Sequence, residues 1–121
     1  MSVKKFDLEK INNDLVAFVK ERDWDQFHSI KNLSMALSVE ASELVELFQW
    51  LKEEDSNLVA KNPELKKRVG EEVADILVYL LHIARKSEID LELAVISKMQ
   101  KNREKYPIEK AKGLATKYTQ Y

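Results

Sequence analysis

Two pairs of acidic residues stand where a helix would normally turn apolar side chains toward a core. Glu40 and Glu43 interrupt the stretch LSVEASELVELFQW, whose apolar residues recur at the three- and four-residue steps of a helix. Glu72 and Asp75 interrupt a similar pattern further along the chain. Burying an unpaired carboxylate is unfavourable, so acids in this phase need a partner. Two helices with the same exception predict that the four acids face one another.

Facing carboxylates repel one another unless they bind cations, share protons or pair with basic groups. Oxygen ligands without a Cys or His partner favour a hard cation, Mg2+ or Mn2+. Mg2+ held by few carboxylates usually completes its coordination with water and substrate phosphates. The alternative that the spacing leaves open is a set of partly solvated ion pairs with lysines. The residues therefore predict either a metal site suited to a phosphate substrate or an ion-pair cluster.

Each acidic pair is followed by an aromatic residue at helical spacing. Trp50 comes seven residues after Glu43, and Tyr79 comes four after Asp75, so each ring would share a helix face with its acids. A planar ring one or two turns from a metal is a reasonable wall for a nucleotide pocket. Ordinary core packing is the alternative for either ring.

Further polar candidates lie in a loop and on the last helix. His28 follows Trp24 in an aromatic and polar stretch, where loop packing is the alternative to ligand binding. His82 falls within an apolar helical stretch and is expected to be structural. Lys98 and Asn102 are four residues apart on one helix face, where Lys could meet a phosphate and Asn a base or sugar. Solvated surface is the alternative for this pair.

Four helices would position these residues, and their expected ranges are 7–21, 33–52, 63–86 and 91–105. Asp7, Asn62 and Asp90 suit N-cap positions, and Pro63 suits the first turn of its helix. The third helix is apolar on more than one face and is expected to be the most buried. Residues 22–32 are expected to form an ordered loop with a short turn, and 53–62 a polar connection. The tail from about residue 108 could be disordered or could pack on a neighbouring subunit.

The composition agrees with one all-α domain spanning residues 1–121. The chain is 45% hydrophobic, 34% charged and poor in Gly and Pro, which suits a helical bundle with one core. A net charge of −1 argues against a general nucleic-acid binder. The absence of Cys excludes disulfides and thiolate zinc sites. No stretch has the apolar length of a signal peptide core or a membrane span. We therefore expect a cytoplasmic protein without membrane or nucleic-acid partners.

Four stretches, taken in order, resemble the MazG-like nucleotide pyrophosphohydrolases, and most closely their small dCTP pyrophosphatase branch. The stretches are RDWDQFH, EASELVELFQWL, EEVADILVYLL and KMQKNREKYP, and the resemblance runs from about Phe6 to Tyr118. It implies a four-helix MazG-like bundle that assembles as a dimer of dimers, a homotetramer with active sites built between subunits. It also implies Mg2+-dependent hydrolysis of a nucleoside triphosphate to the monophosphate and pyrophosphate.

The resemblance assigns roles by position. It implies that the catalytic and metal-binding residues are Glu40, Glu43, Glu72 and Asp75. It implies that the base and sugar pocket is lined by Trp24, His28, Trp50 and Tyr79, and that Lys98 and Asn102 contact substrate. The implied substrates are dCTP and 5-substituted dCTP, whose hydrolysis would remove unwanted nucleotides. Two alternatives stay open: a non-catalytic helical interaction module, and a related pyrophosphohydrolase that prefers dUTP or another modified nucleotide.

Overall fold

Helices joined by short turns make up the computed structural model, which describes residues 5–120. The helices are α1 Leu8–Glu21, α2 Ile30–Glu46, α3 Glu53–Ser56, α4 Pro63–Lys86, α5 Leu91–Lys105 and α6 Ile108–Ala111. Single 3-10 turns cover Asp25–Phe27, Val59–Lys61 and Tyr118–Gln120. No strand occurs within residues 5–120. The expected all-α fold class is confirmed.

The four long helices begin where the sequence provides a cap. In each, a side-chain oxygen accepts a hydrogen bond of 3.0 or 3.1 Å from the backbone N–H three residues further on. These capping residues are Asp7, Ser29, Asn62 and Asp90. The ranges of α4 and α5 agree with those expected, because Asn62, Asp90 and the proline after α5 are local signals.

The second helix differs from its expected range of 33–52 at both ends. It begins at Ile30 because Ser29 supplies the cap. It ends at Glu46, and residues 47–50 continue as turns. There the backbone N–H groups of Leu47 and Phe48 bond to carbonyls three residues back, a tighter winding that closes the helix. The expectation that Trp50 continues the helical face of the acids is therefore wrong.

The connections contain more structure than their polar sequences suggest. The loop before α2 holds the 3-10 turn Asp25–Phe27, which confirms an ordered loop with a short turn. The connection before α4 holds α3 and the 3-10 turn Val59–Lys61. Both are single turns of four residues or fewer, too short to show an apolar period in the sequence.

The chain divides into two compact units, Met1–Ser87 and Glu88–Tyr121. In the first unit α2 packs along α4, and the side chains buried most deeply among the described residues come from α1, α2 and α4: Val19, Leu33, Leu81, His82 and Ala84. Three of these belong to α4, as expected for the most buried helix. Whether the two units act as a single domain stays a prediction.

The second unit contains α5, α6 and the last 3-10 turn. Its tail is folded locally, since the rings of Tyr106 and Tyr118 meet edge to face at 5.9 Å. Lys105 Nζ lies 5.0 Å from the centre of the Tyr118 ring, and Gly113 takes a positive φ of 78° in the intervening turn. Packing of this tail on a neighbouring subunit stays a prediction. Among the described residues, no helix has the length and apolar character required to cross a bilayer.

Candidate active site

Three carboxylates meet where α2 packs on α4. Glu40 and Glu43 share one face of α2 because they are one turn apart, and Glu72 approaches from α4. Each residue offers one oxygen, and these oxygens all lie within 4.8 Å of one another. The acids of the two helices thus lie together, as their positions on the helix faces predicted. Their role as metal ligands stays a prediction.

Asp75, the fourth acid, lies one turn beyond Glu72 on the same helix. It is exposed and is not among the three residues that share the 4.8 Å separation. Its negative charge nevertheless contributes to raising the pKa values of Glu40 and Glu72. The fourth acid is therefore an electrostatic neighbour of the three clustered carboxylates.

The surroundings of the cluster disfavour charge on its carboxylates. Burial raises the pKa of Glu40 from 4.5 to about 7, with further increases from the nearby carboxyls of Glu43 and Glu72. Burial is also the main cause that raises the pKa of Glu72. One oxygen of each, Glu40 Oε2 and Glu72 Oε2, is buried and has no hydrogen-bond partner. Such oxygens suit a hard cation, which would supply the missing partner.

The described residues of the first unit do not form the ion pairs with lysines that were the alternative to a metal site. Within residues 5–87, the side-chain ion pairs within 4.0 Å are Arg22–Glu21 and Lys86–Asp25. Neither involves the clustered carboxylates. The clustered carboxylates therefore have no ion-pair partner among residues 5–87.

A cavity of about 280 Å³ adjoins the cluster. Its walls come from α1, the loop before α2 and α4: Leu15, Phe18, Val19, Trp24, His28, Asp75, Val78, Tyr79 and His82. Asp75 thus belongs both to the wall and to the acidic surroundings. The pKa of Tyr79 is raised by burial and then by the charges of Glu40, Asp75 and Glu43, which shows how near the aromatic wall lies to the acids.

The cavity brings together three of the residues predicted to line a pocket, namely Trp24, His28 and Tyr79. The ring of Phe18 meets that of Trp24 edge to face at 5.7 Å. Arg22 lies over the Phe18 ring, with Cζ 3.7 Å from its centre. The indole of Trp24 thus contacts a side chain of α1 at the cavity wall.

Sequence reasoning did not assign the α1 residues of the wall to the site. Leu15, Phe18 and Val19 lie on the apolar face of α1. Their i, i+3, i+4 spacing is the same for a core face and for a pocket wall. Nothing in the sequence alone separates these two cases.

Three predicted contacts are not brought to this cavity by the first unit. Trp50 lies in the turns after α2 and is 89% exposed. It does not line the cavity, because α2 ends at Glu46. Lys98 and Asn102 are exposed on α5 in the second unit, four residues apart on one face. Their contacts with substrate stay predictions.

Comparisons with known proteins place the chain in a family. A family model for the MazG-like family matches residues 35–120. The chain superposes on the crystal structure of a pyrophosphatase from Archaeoglobus fulgidus DSM 4304 with a TM-score of 0.76 and 36% identity. This superposition covers 88% of the present chain and 98% of the archaeal one.

Similar proteins are also known from mammals. The chain is 44% identical to dCTP pyrophosphatase 1 of Rattus norvegicus over 112 residues and 42% identical to that of Homo sapiens over 113 residues. Each match covers 93% of this chain and 66% of the mammalian protein, so the chain spans just under two thirds of the length of these relatives. The family match includes most of α2 and all of α4, with both acidic pairs. The chain therefore belongs to the MazG-like family.

Proposed function

We propose that this chain is a metal-dependent nucleoside triphosphate pyrophosphohydrolase. Its substrate would be a deoxynucleoside triphosphate, dCTP or a 5-substituted dCTP, and its products the monophosphate and pyrophosphate. The supporting observation is a cluster of three carboxylates next to an aromatic-walled cavity, joined to it through Asp75. The names of the mammalian relatives and of the archaeal pyrophosphatase support the same reaction class.

The carboxylates fit a divalent cation, which we take to be Mg2+, with Mn2+ as a substitute. Glu40, Glu43 and Glu72 would hold it, with Asp75 adding negative charge at the cavity. When bound, the cation would offset triphosphate charge and make an attacking water more acidic. The buried, unpartnered oxygens of Glu40 and Glu72 support this fit.

The proposed reaction replaces one P–O bond by another. A water oxygen forms a bond to the α-phosphorus, the bond from that phosphorus to the bridging oxygen breaks, and pyrophosphate leaves. A carboxylate of the acidic cluster accepts the proton of the water. Placing the α-phosphorus between the acids and the cavity would leave the triphosphate beside the carboxylates and the nucleoside inside the cavity.

The cavity residues would hold the nucleoside. Trp24 and Tyr79 offer ring faces for stacking, and His28 offers a polar group for the base or sugar. Stacking accepts many bases, so preference for cytosine would come from hydrogen bonds and shape. Lys98 and Asn102 of α5 are proposed to contact phosphate and base, respectively.

A homo-oligomer, specifically a tetramer, is part of the proposal. Many large apolar side chains of the chain remain exposed, among them Met35 at 58%, Val45 at 63% and Trp50 at 89%. Apolar exposure of this extent is typical of surfaces that bind other chains. Trp50 would then contribute to a pocket of the neighbouring subunit. Size-exclusion chromatography with light scattering tests this part, and a monomer across micromolar concentrations would contradict it.

The test of activity is 31P NMR of dCTP incubated with protein and Mg2+, repeated with EDTA. We expect dCMP and pyrophosphate, with the reaction lost in EDTA. Orthophosphate with dCDP would mean attack at the γ-phosphorus and would refute the mechanism. Parallel reactions with 5-methyl-dCTP, dUTP and dTTP identify the preferred base.

Two neighbouring residues of α4 provide a matched pair for the metal site. Glu72→Gln removes a clustered carboxylate and should lower kcat by about 100-fold or more. Glu71→Gln changes the adjacent, exposed glutamate and should leave kcat within about twofold of the wild type. Equal activity in both variants would remove Glu72 from the site. If no nucleotide is hydrolysed by the wild type, a non-catalytic interaction module is the better reading.

A further inference from the structure

His82 is the one polar or charged residue that is fully buried among the described residues, with 3% of its surface exposed. It lies on α4 one turn beyond Tyr79 and lines the same cavity. A buried imidazole loses its hydration and requires a polar partner. The reaction proposed above assigns His82 no part, so its burial beside the cavity calls for a separate explanation.

Arg85 supplies the partner. Its Nη2 lies 2.9 Å from His82 Nδ1. A guanidinium can only donate, so Nδ1 is the acceptor and the ring proton of His82 lies on Nε2. Burial, followed by the positive charge of Arg85, lowers the pKa of His82 to about 4. The imidazole is therefore neutral near pH 7, with one tautomer and one orientation.

The oriented ring contacts the loop that carries the cavity wall. The rings of His82 and His28 are 5.3 Å apart between centres, at an angle of 49°. The same loop is held at a second point, where Lys86 Nζ donates to Asp25 Oδ1 over 3.0 Å. Trp24 is the residue directly before Asp25. Two α4 residues one turn apart thus hold the segment 24–28.

We propose that His82, oriented by Arg85, is a positioning residue that sets the segment 24–28 and thereby places Trp24 and His28 in the cavity wall. The inference rests on the proposed function in one respect, since it takes the occupant of the cavity to be a nucleotide. The clustered carboxylates are held elsewhere, on α2 and the first half of α4. Losing the positioning should therefore weaken nucleotide binding more than it slows the chemical step.

The first experiment needs no nucleotide. In a Trp50→Phe background Trp24 is the single tryptophan, and acrylamide quenching of its fluorescence reports how well the segment is held. His82→Leu keeps an apolar side chain in the core but removes the acceptor for Arg85, whereas His82→Asn retains an acceptor oxygen. We expect His82→Leu to raise the quenching constant by at least about twofold and His82→Asn to change it little. Equal quenching in all three proteins would overturn the proposal.

The second experiment uses steady-state kinetics with Trp50 intact. His82→Leu and Arg85→Met should each raise KM by about tenfold while kcat stays within about threefold of the wild type. His82→Asn should keep KM within about threefold of the wild type, because it restores an acceptor for Arg85. If His82 only filled space, this variant would not restore KM. A fall in kcat at unchanged KM would overturn the proposal.

The Arg85→Met variant keeps the test valid if His82→Leu does not fold, which circular dichroism would show. Failure of the proposed function is distinguishable from failure of this inference. If the wild type hydrolyses no nucleotide, the enzymatic assignment fails. The quenching comparison, made without nucleotide, still decides whether His82 positions the segment.

Discussion

Replacing Glu40 by Gln should stabilise the metal-free protein and greatly reduce its stabilisation by Mg2+. The pKa of Glu40 is raised from 4.5 to about 7, chiefly by burial. As pH rises, the unfolded chain releases this proton first, so ionised Glu40 destabilises the fold increasingly above pH 4.5 and fully above pH 7. The amide that replaces the carboxyl in Glu40→Gln carries no charge, which removes this penalty.

The magnitude follows from the pKa difference. A shift of 7 minus 4.5 corresponds to about 3 kcal/mol at 1.36 kcal/mol per unit, and screening by nearby solvent reduces it to about 1 to 2 kcal/mol. At about 4 °C per kcal/mol for a chain of this length, Glu40→Gln should raise Tm by about 4 to 8 °C in EDTA at pH 8. At pH 4 the gain should vanish, because the carboxyl is protonated in both states.

Mg2+ should reverse the order of the two proteins. A site that binds only the folded state gains about 2.7 kcal/mol at a ligand concentration one hundred times Kd. The wild type should therefore gain Tm on adding Mg2+, and Glu40→Gln should gain much less. Differential scanning fluorimetry at fixed protein concentration, with EDTA and with a Mg2+ titration, measures both effects.

The control for this prediction is Glu46→Gln, which changes an exposed acid at the end of the same helix. Its stability should stay within about 0.5 kcal/mol of the wild type, and its Mg2+ response should be preserved. Two outcomes would refute the reasoning: a metal-free Glu40→Gln protein less stable than the wild type at pH 8, or a full Mg2+ response in that variant.

Three further predictions concern the core, a helix cap and pH. Leu81→Ala, at a side chain only 1% exposed, should lower the free energy of unfolding by about 3 kcal/mol in urea titrations, whereas Leu81→Met should cost less than about 1.5 kcal/mol. Asn62→Ala removes the acceptor that caps α4 and should cost about 1 kcal/mol, and Asn62→Asp should retain the cap. Because the pKa of His82 is lowered from 6.5 to about 4, stability should fall as pH drops between these values, by at most about 3 kcal/mol.

Each of these predictions has an outcome that contradicts it. Equal unfolding free energies for Leu81→Ala and Leu81→Met would show that the core around α4 relaxes to fill the space. An Asn62→Ala protein as stable as Asn62→Asp would mean that the cap contributes nothing. For His82, a His82→Leu variant with the same loss of stability from pH 6.5 to 4 would assign the pH effect to other groups.

Much of the fold follows from local signals. The bounds of α4 and α5 were predictable because Asn62, Pro63 and Asp90 start helices and Pro107 lies just after the end of α5. The meeting of Glu40 and Glu72 was also predictable. Side-chain period places each acid on the apolar face of its own helix, and two such faces pack against each other.

The end of α2 was not predictable from these signals. The stretch LVELFQWL continues the apolar helical pattern and has no Gly or Pro to stop it. The helix nevertheless closes at Glu46 with tighter backbone hydrogen bonds, which leaves Trp50 exposed. The local sequence pattern predicts that this stretch is helical, but it does not predict the residue at which the helix ends.

The cavity and the place of His82 are properties of the tertiary structure. The sequence identifies residue types and the helix face that each occupies, because both depend on near neighbours in the chain. It cannot show that Phe18, Trp24 and Tyr79 share one cavity, since that depends on how α1 and the following loop lie on α4. Likewise, His82 reads as an ordinary core residue until packing brings His28 against its ring. Contacts between residues distant in the sequence form only when the helices pack. Packing is driven by the burial of apolar surface. It also determines which hydrogen-bond partner each buried polar group finds.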